Sequence, residues 1–373
     1  MPYQARAALV RENNAPVVVE TITVADPRRD ELTIELQACG VCHSDLSVVT
    51  GTLPLPPPVV LGHEGVGKVV AIGEGVTDFA VGDTVLSSFV SMCGTCRWCS
   101  IGRPELCNLA AKSVTTLPDG TVRTFDAEGK PLSIFSGCGV MAEVATLHVS
   151  NVVKIDATGV APECCALVSC GVMTGFGAAV NTAKVEPGSV CVVFGAGGVG
   201  LNAIQGCATS GASMIVAVDP NDAKLTLAKA FGATHVYAPA PGEDAAKALR
   251  KLTGGGADYA FECVGLGSVL AQAYGCLRKA GTAVMVGVAR PDDQVSVRCG
   301  TLLFEEKTLT GSLYGGARPR VDFPRILGLY KAGKLKLDEL VTQRYTIEEA
   351  PKAFDDLAAG RNARGVIMFP NRA

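Results

Sequence analysis

The feature that most restricts the fold is residues 189–219, SVCVVFGAGGVGLNAIQGCATSGASMIVAVD, which read strand, glycine turn, helix, strand. Gly195, Gly197 and Gly200 fit GxGxxG directly after an apolar strand, with Gly198 and Val199 inside the motif where the helix begins. In this motif the first glycine permits the tight turn, the second lets a pyrophosphate approach the backbone, and the third lets helix and strand pack closely. Backbone N–H groups at the helix start then face the phosphates with the positive end of the helix dipole. The segments AKLTLAKAFGATHVY, DYAFECVG and GTAVMVGV continue the strand and helix alternation of a parallel, doubly wound sheet.

Glycines also serve ordinary turns, so the motif needs its context. The second strand, MIVAV, ends in Asp219, about two dozen positions after Gly195, near the spacing at which an acid receives the ribose 2′-hydroxyl. A carboxylate there repels a 2′-phosphate, and no arginine follows at once in Asp219-Pro220-Asn221-Asp222, so NAD is expected in preference to NADP. Asp219 could also cap the helix that starts near AKLTLAKAF.

The chain of 373 residues has room for about two domains. Residues 1 to about 90 alternate short apolar runs with Gly and Pro, as in LTIELQACGVC and VVLGHEGVGKVVAIG, which reads as many short strands. Near residue 310 the pattern is mixed again and closes with an amphipathic helix, IEEAPKAFDDLAAG, and a strand-like RGVIMF. The expectation is an α/β protein: a β-rich domain of residues 1–172 and 311–373, interrupted by a Rossmann domain of residues 173–310. A net charge of −3 gives no basic excess for a nucleic-acid partner. The N-terminus lacks a long apolar core with a small-residue cleavage site, and no uninterrupted run of about 20 apolar residues occurs. No membrane span and a cytoplasmic location are therefore expected.

In such a reducing compartment 15 cysteines are not expected to be stapled. Four of them, Cys93, Cys96, Cys99 and Cys107, fall in CGTCRWCSIGRPELC. A redox pair needs only two thiols at the start of a helix, whereas CxxCxxCx7C carries enough sulfur for one closed tetrahedral zinc site. Gly94, Gly102 and Pro104 mark a loop that can wrap an ion.

A closed site explains stability and not activity. Two of the four histidines stand in GVCHSDL, with Cys42, His43 and Asp45, and in LGHEGVG, with His63 and Glu64. Cys170 in VSCGVMTGFG is a third candidate. Two thiolates and one imidazole make a zinc site with its fourth position open, the arrangement known in alcohol dehydrogenase. Spacing alone does not select these three among 15 cysteines.

The stretches GVCHSDL, GHEGVGKVVAIGEGV, VGDTV, CGTCRWCSIGRPELC, SCGVMTGFGAAV and VFGAGGVGLNAIQG together resemble the zinc-containing, medium-chain alcohol dehydrogenase family, over essentially the whole chain. The resemblance implies a GroES-like catalytic domain around the Rossmann insertion and two Zn²⁺ per chain. Cys42, His63 and Cys170 match the catalytic ligands, and Cys93, Cys96, Cys99 and Cys107 the structural ones. Glu64 matches the carboxylate behind the metal, Asp45 the acid that holds the ligand histidine by its other ring nitrogen, and Ser44 the hydroxyl that takes the substrate proton. His43 and Arg364 match basic residues that meet the cofactor pyrophosphate; Thr174, Gly195, Gly197, Gly198, Val199, Gly200, Asp219, Lys224, Val264, Val286 and Val288 complete the implied cofactor contacts.

What the resemblance implies chemically is reversible hydride transfer between NAD and a primary alcohol, with the metal acidifying the hydroxyl and Ser44 relaying its proton. Liver-type members carry a relay histidine where this chain has Ser47. Glutathione-dependent formaldehyde dehydrogenases of the family present acids after the GVCH segment and an arginine after the last structural cysteine; TGTLPLP and CNLAAK have neither. Leu53, Phe89, Phe135, Val288 and Leu313 match pocket-lining positions, so aromatic, allylic or longer aliphatic alcohols are expected over ethanol, although such residues also fill cores. A non-catalytic zinc and NAD sensor, or a zinc-free quinone reductase, are the other readings. His148 and His235 carry no motif, and Cys164 and Cys165 read as core thiols. Segment 112–138 resembles a loop of longer, dimeric members, so a homodimer is expected over a homotetramer.

Overall fold

The computed structural model describes residues 2–370 and divides the chain into two compact units. The first holds the residues up to Cys170, Arg318–Gly333 and those from Leu337 onward; the second holds Gly171–Ala317 with Lys334–Lys336. Residues 311–317, expected in the first unit, thus join the second. The reason is local: Ser312 Oγ lies 2.8 Å from Thr182 Oγ1, and Asn181 donates to the Gly315 carbonyl at 3.3 Å.

The first unit is built on two sheets. In the larger, the long strand Glu31–Val41 pairs antiparallel with Gly65–Ile72 on one side and with the C-terminal strand Arg364–Met368 on the other. Alternation along these strands buries Leu32, Ile34, Leu36, Val69 and Ile367 in one core. The amphipathic helix Ala350–Ala358 adds Ala350, Ala353, Phe354 and Leu357, spaced three or four residues apart as one helical face requires.

Register then places chemistry. Cys39 opposes Gly65, and Gly40 N–H donates to the Glu64 carbonyl at 2.9 Å, so Cys42 and His63 emerge at the same end of the sheet. Gly365 opposes Val41 in the third strand, which brings Arg364 to that end from 300 residues away in sequence.

Cys170 arrives on the helix Pro162–Ala183. By length and apolar composition alone this helix of 22 residues is long enough to cross a membrane. Its most apolar window is 89% buried in protein, as for a core helix. Cys164 and Cys165 are buried on it.

The second unit holds six parallel strands in the spatial order His235–Tyr237, Met214–Val218, Val190–Phe194, Ala257–Glu262, Leu277–Met285, Thr308–Gly311. In chain order these are the third, second, first, fourth, fifth and sixth strands, the doubly wound arrangement of dinucleotide-binding sheets. Val192, Phe194, Val216, Val218 and Ala260 are buried in its core, as strands covered by helices on both faces must be.

Candidate active site

One ligand atom from each of Cys42, His63, Glu64 and Cys170 lies within 4.8 Å of the others, and all four residues are buried. Cys42 is the extended residue between strand Glu31–Val41 and helix His43–Val49. Cys170 sits in a π-helical turn, Val168–Val172, of the long apolar helix. Such a turn inserts one residue into the helical repeat and re-aims the side chain it carries.

Each group is held from behind. His63 Nδ1 is 3.1 Å from Asp45 Oδ2, while Asp45 Oδ1 accepts the Gly62 N–H at 2.7 Å. Ser87 fixes the backbone on either side of Glu64, donating to the His63 carbonyl at 2.7 Å and accepting the Gly65 N–H at 2.8 Å. Glu64 pairs with the buried guanidinium of Arg364. Gly40 makes that pair possible, since a Cβ there would lie 2.0 Å from Glu64 Oε2. Rings close the site: Phe89 and Phe135 stand edge-on to the His63 imidazole at centroid distances of 5.6 and 5.1 Å.

Electrostatics polarise the cluster. Hydrogen bonding from Cys170 holds the Cys42 thiol well below its ordinary range, against burial and with help from His63. Cys170 rises correspondingly, through its bond to Cys42 and through burial. Burial pulls His63 down, but Asp45 and Cys42 outweigh it and the net shift is upward. Burial pushes Glu64 up to about 7 against the pull of Arg364. His63 Nε2 is buried with no hydrogen-bond partner. Two cysteine sulfurs and a buried imidazole nitrogen are a donor set that fits Zn²⁺ with a position left open.

The cysteine loop forms a second set. Its sulfurs are 3.5 Å apart for Cys93 and Cys107, 3.8 Å for Cys96 and Cys107, and 4.0 Å for Cys93 and Cys99. A disulfide requires ~2.05 Å, whereas a tetrahedron with Zn–S bonds of ~2.3 Å has edges of about 3.8 Å. Backbone N–H groups of Cys93 and Cys96 donate to Cys107 and Cys93 sulfurs at 3.3 Å, and donors of this kind hold the Cys93 thiol down at about 6.

In the second unit the glycine turn has the anatomy of a phosphate cradle. Gly195 adopts φ +89°, and a Cβ on Gly200 would lie 1.7 Å from the Gly195 carbonyl. A Cβ on Gly197 would meet nothing within 4 Å, so that backbone faces open space at the uncapped start of helix Gly198–Thr209. Asp219 accepts N–H groups of Ala196 and Asn221 at 2.9 Å each. The cap of the next helix is Asn221, which accepts from Ala223 and Lys224, so the capping role considered for Asp219 belongs to its neighbour.

The structure thus gathers Cys42, Ser44, Asp45, His63, Glu64, Phe89, Phe135 and Cys170 in the first unit, with Ser44 Oγ 3.8 Å from Cys42 Sγ. Leu53 is half-buried against the same core. His43 is exposed, and Arg364, expected at a pyrophosphate, has its guanidinium on Glu64. Thr174, Lys224, Val264, Val286, Val288 and Leu313 all belong to the second unit; Val264, Val288 and Leu313 are exposed there and Val286 is buried. His148 bonds Ser150 and His235 bonds Thr234. Sequence reading missed Gly40 and Ser87, whose partners are set by strand pairing and carry no local signal.

Comparison with known proteins agrees with this geometry. Residues 28–157 match the alcohol dehydrogenase GroES-like domain, and residues 198–332 match the zinc-binding dehydrogenase domain. The NDMA-dependent alcohol dehydrogenase of Amycolatopsis methanolica is 41% identical over 367 residues, 97% of this chain and 98% of that one. The chain belongs to the zinc-containing, medium-chain alcohol dehydrogenase family. Among solved members, an alcohol dehydrogenase zinc-binding domain protein from Burkholderia ambifaria superposes with a TM-score of 0.94 at 33% identity, covering both chains in full. Benzyl alcohol dehydrogenase from Acinetobacter calcoaceticus gives 0.89 at 33% identity, over 99% of this chain and 100% of that one. The protein is accordingly an alcohol oxidoreductase of this family.

Proposed function

We propose that the protein oxidises primary alcohols reversibly to aldehydes with NAD, favouring aromatic, allylic or longer aliphatic substrates. The observation that carries this reading is the buried Cys42, His63, Cys170 and Glu64 cluster with Asp45 behind the imidazole. These residues would hold a catalytic Zn²⁺, which supplies Lewis acidity that makes a bound hydroxyl shed its proton near neutral pH. Cys93, Cys96, Cys99 and Cys107 would hold a second, structural Zn²⁺. NAD, cradled at Gly195–Gly200, supplies the hydride acceptor.

The chain does the rest. Asp45, its Oδ2 3.1 Å from His63 Nδ1, would hold the Nδ1–H tautomer electrostatically and leave Nε2 as the ligand atom. Ser44, whose Oγ lies 3.8 Å from Cys42 Sγ, would receive the substrate proton. Phe89 and Phe135 exclude water and favour an apolar substituent, each added CH₂ gaining ~0.8 kcal/mol on burial. A hydroxyl at Ser47 gives the proton path no imidazole, so alcohol oxidation should rise with pH without a histidine-like step near ~6.5 beyond the titration of Glu64; a sharp step there in kcat/KM that survives in Glu64→Gln would contradict this.

The relative that acts on benzyl alcohol, by its name, supports the aromatic preference. The NDMA-dependent relative favours a second reading, in which turnover depends on NDMA and not on free NAD. Following NADH absorbance during oxidation of benzyl alcohol and ethanol, with and without NDMA, separates them: the first reading expects NADH to accumulate with benzyl alcohol in the absence of NDMA. No NADH without NDMA supports the second, and no turnover under either condition points to a sensor. A homodimer in the cytoplasm belongs to the same proposal, supported by segment 112–138, and light scattering that gives a tetramer would oppose it.

A further inference from the structure

The fourth strand of the second unit ends in a carboxylate that the chemistry above does not use. Glu262 is fully buried, and its Oε1 accepts three successive backbone N–H groups, from Val264 and Gly265 at 2.8 Å and Leu266 at 3.4 Å. Its own carbonyl accepts the N–H groups of Val286 at 2.8 Å and Gly287 at 2.9 Å, from the end of the fifth strand. One residue therefore joins two loops at the carboxyl edge of the sheet, the edge at which open α/β sheets bind ligands.

The loops are fitted to each other around it. A Cβ on Gly287 would lie 2.2 Å from Gly265 N and 2.9 Å from Glu262 Oε2, and one on Gly265 would lie 2.4 Å from the Val288 carbonyl. The first loop also braces the phosphate turn: Cys263 N–H donates to the Phe194 carbonyl at 2.9 Å, and Val264 Cγ2 would be 2.9 Å from a Cβ on Gly195. Oε2 is buried with no hydrogen-bond partner. A carboxylate left half satisfied in a protein interior is costly, and a core that needed only filling would be served better by an apolar side chain.

We propose that Glu262 is a positioning residue for the cofactor: it locks loop 263–266 to loop 286–288 and holds both against the glycine turn, so that the cradle is formed before the dinucleotide enters. The inference rests on the reading that the second unit binds NAD. A cradle already ordered lowers the entropy lost on binding. In Glu262→Gln an oxygen can still face the three N–H groups, but the amide NH₂ then occupies the buried place of Oε2 with no acceptor, and the loops must part. In Glu262→Ala three N–H groups lose their acceptor.

NADH fluorescence titration of the wild type and both zinc-loaded variants, without alcohol, tests this, with thermal unfolding and zinc content measured in parallel. The expected result is NADH binding weakened about tenfold in Glu262→Gln and further in Glu262→Ala, the cost of unsatisfied buried groups. Zinc content should stay unchanged, and KM for NAD should rise further than kcat falls. A role in folding alone would lower Tm while the folded fraction bound NADH within twofold of wild type, and that outcome overturns the proposal. Failure of the wild type itself to bind NADH would instead remove the NAD reading on which it stands.

Discussion

Asp45 shows how much one side chain behind a ligand contributes. It is fully buried, its two oxygens divided between the Gly62 N–H and the ligand imidazole. Replacing it with Asn keeps the shape and removes the charge that orients and enriches the imidazole. The expected outcome for Asp45→Asn is a 10–100-fold loss of metal affinity at the Cys42, His63 and Cys170 site alone. Zinc content after dialysis against graded chelator measures it, and loss of both zincs in step with wild type would contradict it. Among 15 cysteines spacing alone did not single out Cys42 and Cys170; they and His63 were picked out only by the likeness of GVCHSDL, GHEGVG and SCGVMTGFGAAV to the family. The partner of Arg364 was not, because a pair separated by 300 residues is set by strand register, which no local pattern encodes. Gly40 was hidden for the same reason: its need is for the Glu64 carboxylate, which lies across the sheet.

Elements carry the site in three ways. The π-helical turn aims Cys170, and nothing in ECCALVSC sets it apart from an ordinary apolar helical run. The cysteine loop carries the only tryptophan, Trp98, between two ligands, with Arg97 stacked 5.7 Å from its ring. Cys99→Ser should therefore lose one of two zincs, lower Tm and alter tryptophan emission, while the other zinc remains; emission and metal content unchanged would exclude a metal in this loop. Segment 112–138 is the third element, and it bears Phe135. Its Arg123 is buried in a bidentate pair with Glu31 at 2.8 and 2.5 Å and also reaches Asp119 at 3.1 Å. Thr121 and Arg123 hold the Asp119 carboxyl below the usual range although burial opposes them, and backbone donors, that of Lys130 foremost, do the same for Asp126. Carboxylates depressed in the folded state stabilise it fully above their unfolded value of ~3.9 and lose that contribution as pH falls through the folded value. Limited proteolysis should thus cut within residues 114–137 first as pH falls below ~4; cleavage there independent of pH would count against the clamp.

At the scale of the whole molecule, the alternation of strands and helices after residue 189 made the doubly wound unit readable, because parallel strands buried on both faces give unbroken apolar runs. The β-rich unit was readable in kind and not in order. Its larger sheet depends on the C-terminal strand Arg364–Met368 returning to Glu31–Val41, a pairing set by tertiary contacts and not by local propensity. The unit limit was set at 310 and not at 317 because residues after the sixth strand are held to the second unit by contacts of Ser312 and Gly315 with Thr182 and Asn181, which no local pattern encodes. That topology brings two cysteines, a histidine and a carboxylate from three separate places in the chain to one buried point. The most direct test of the account is zinc per chain in wild type and in Cys170→Ser, measured beside NAD-linked oxidation of benzyl alcohol by the same samples. The account predicts two zincs and turnover in the first, and one zinc without turnover in the second. Two zincs with undiminished turnover in Cys170→Ser would contradict it.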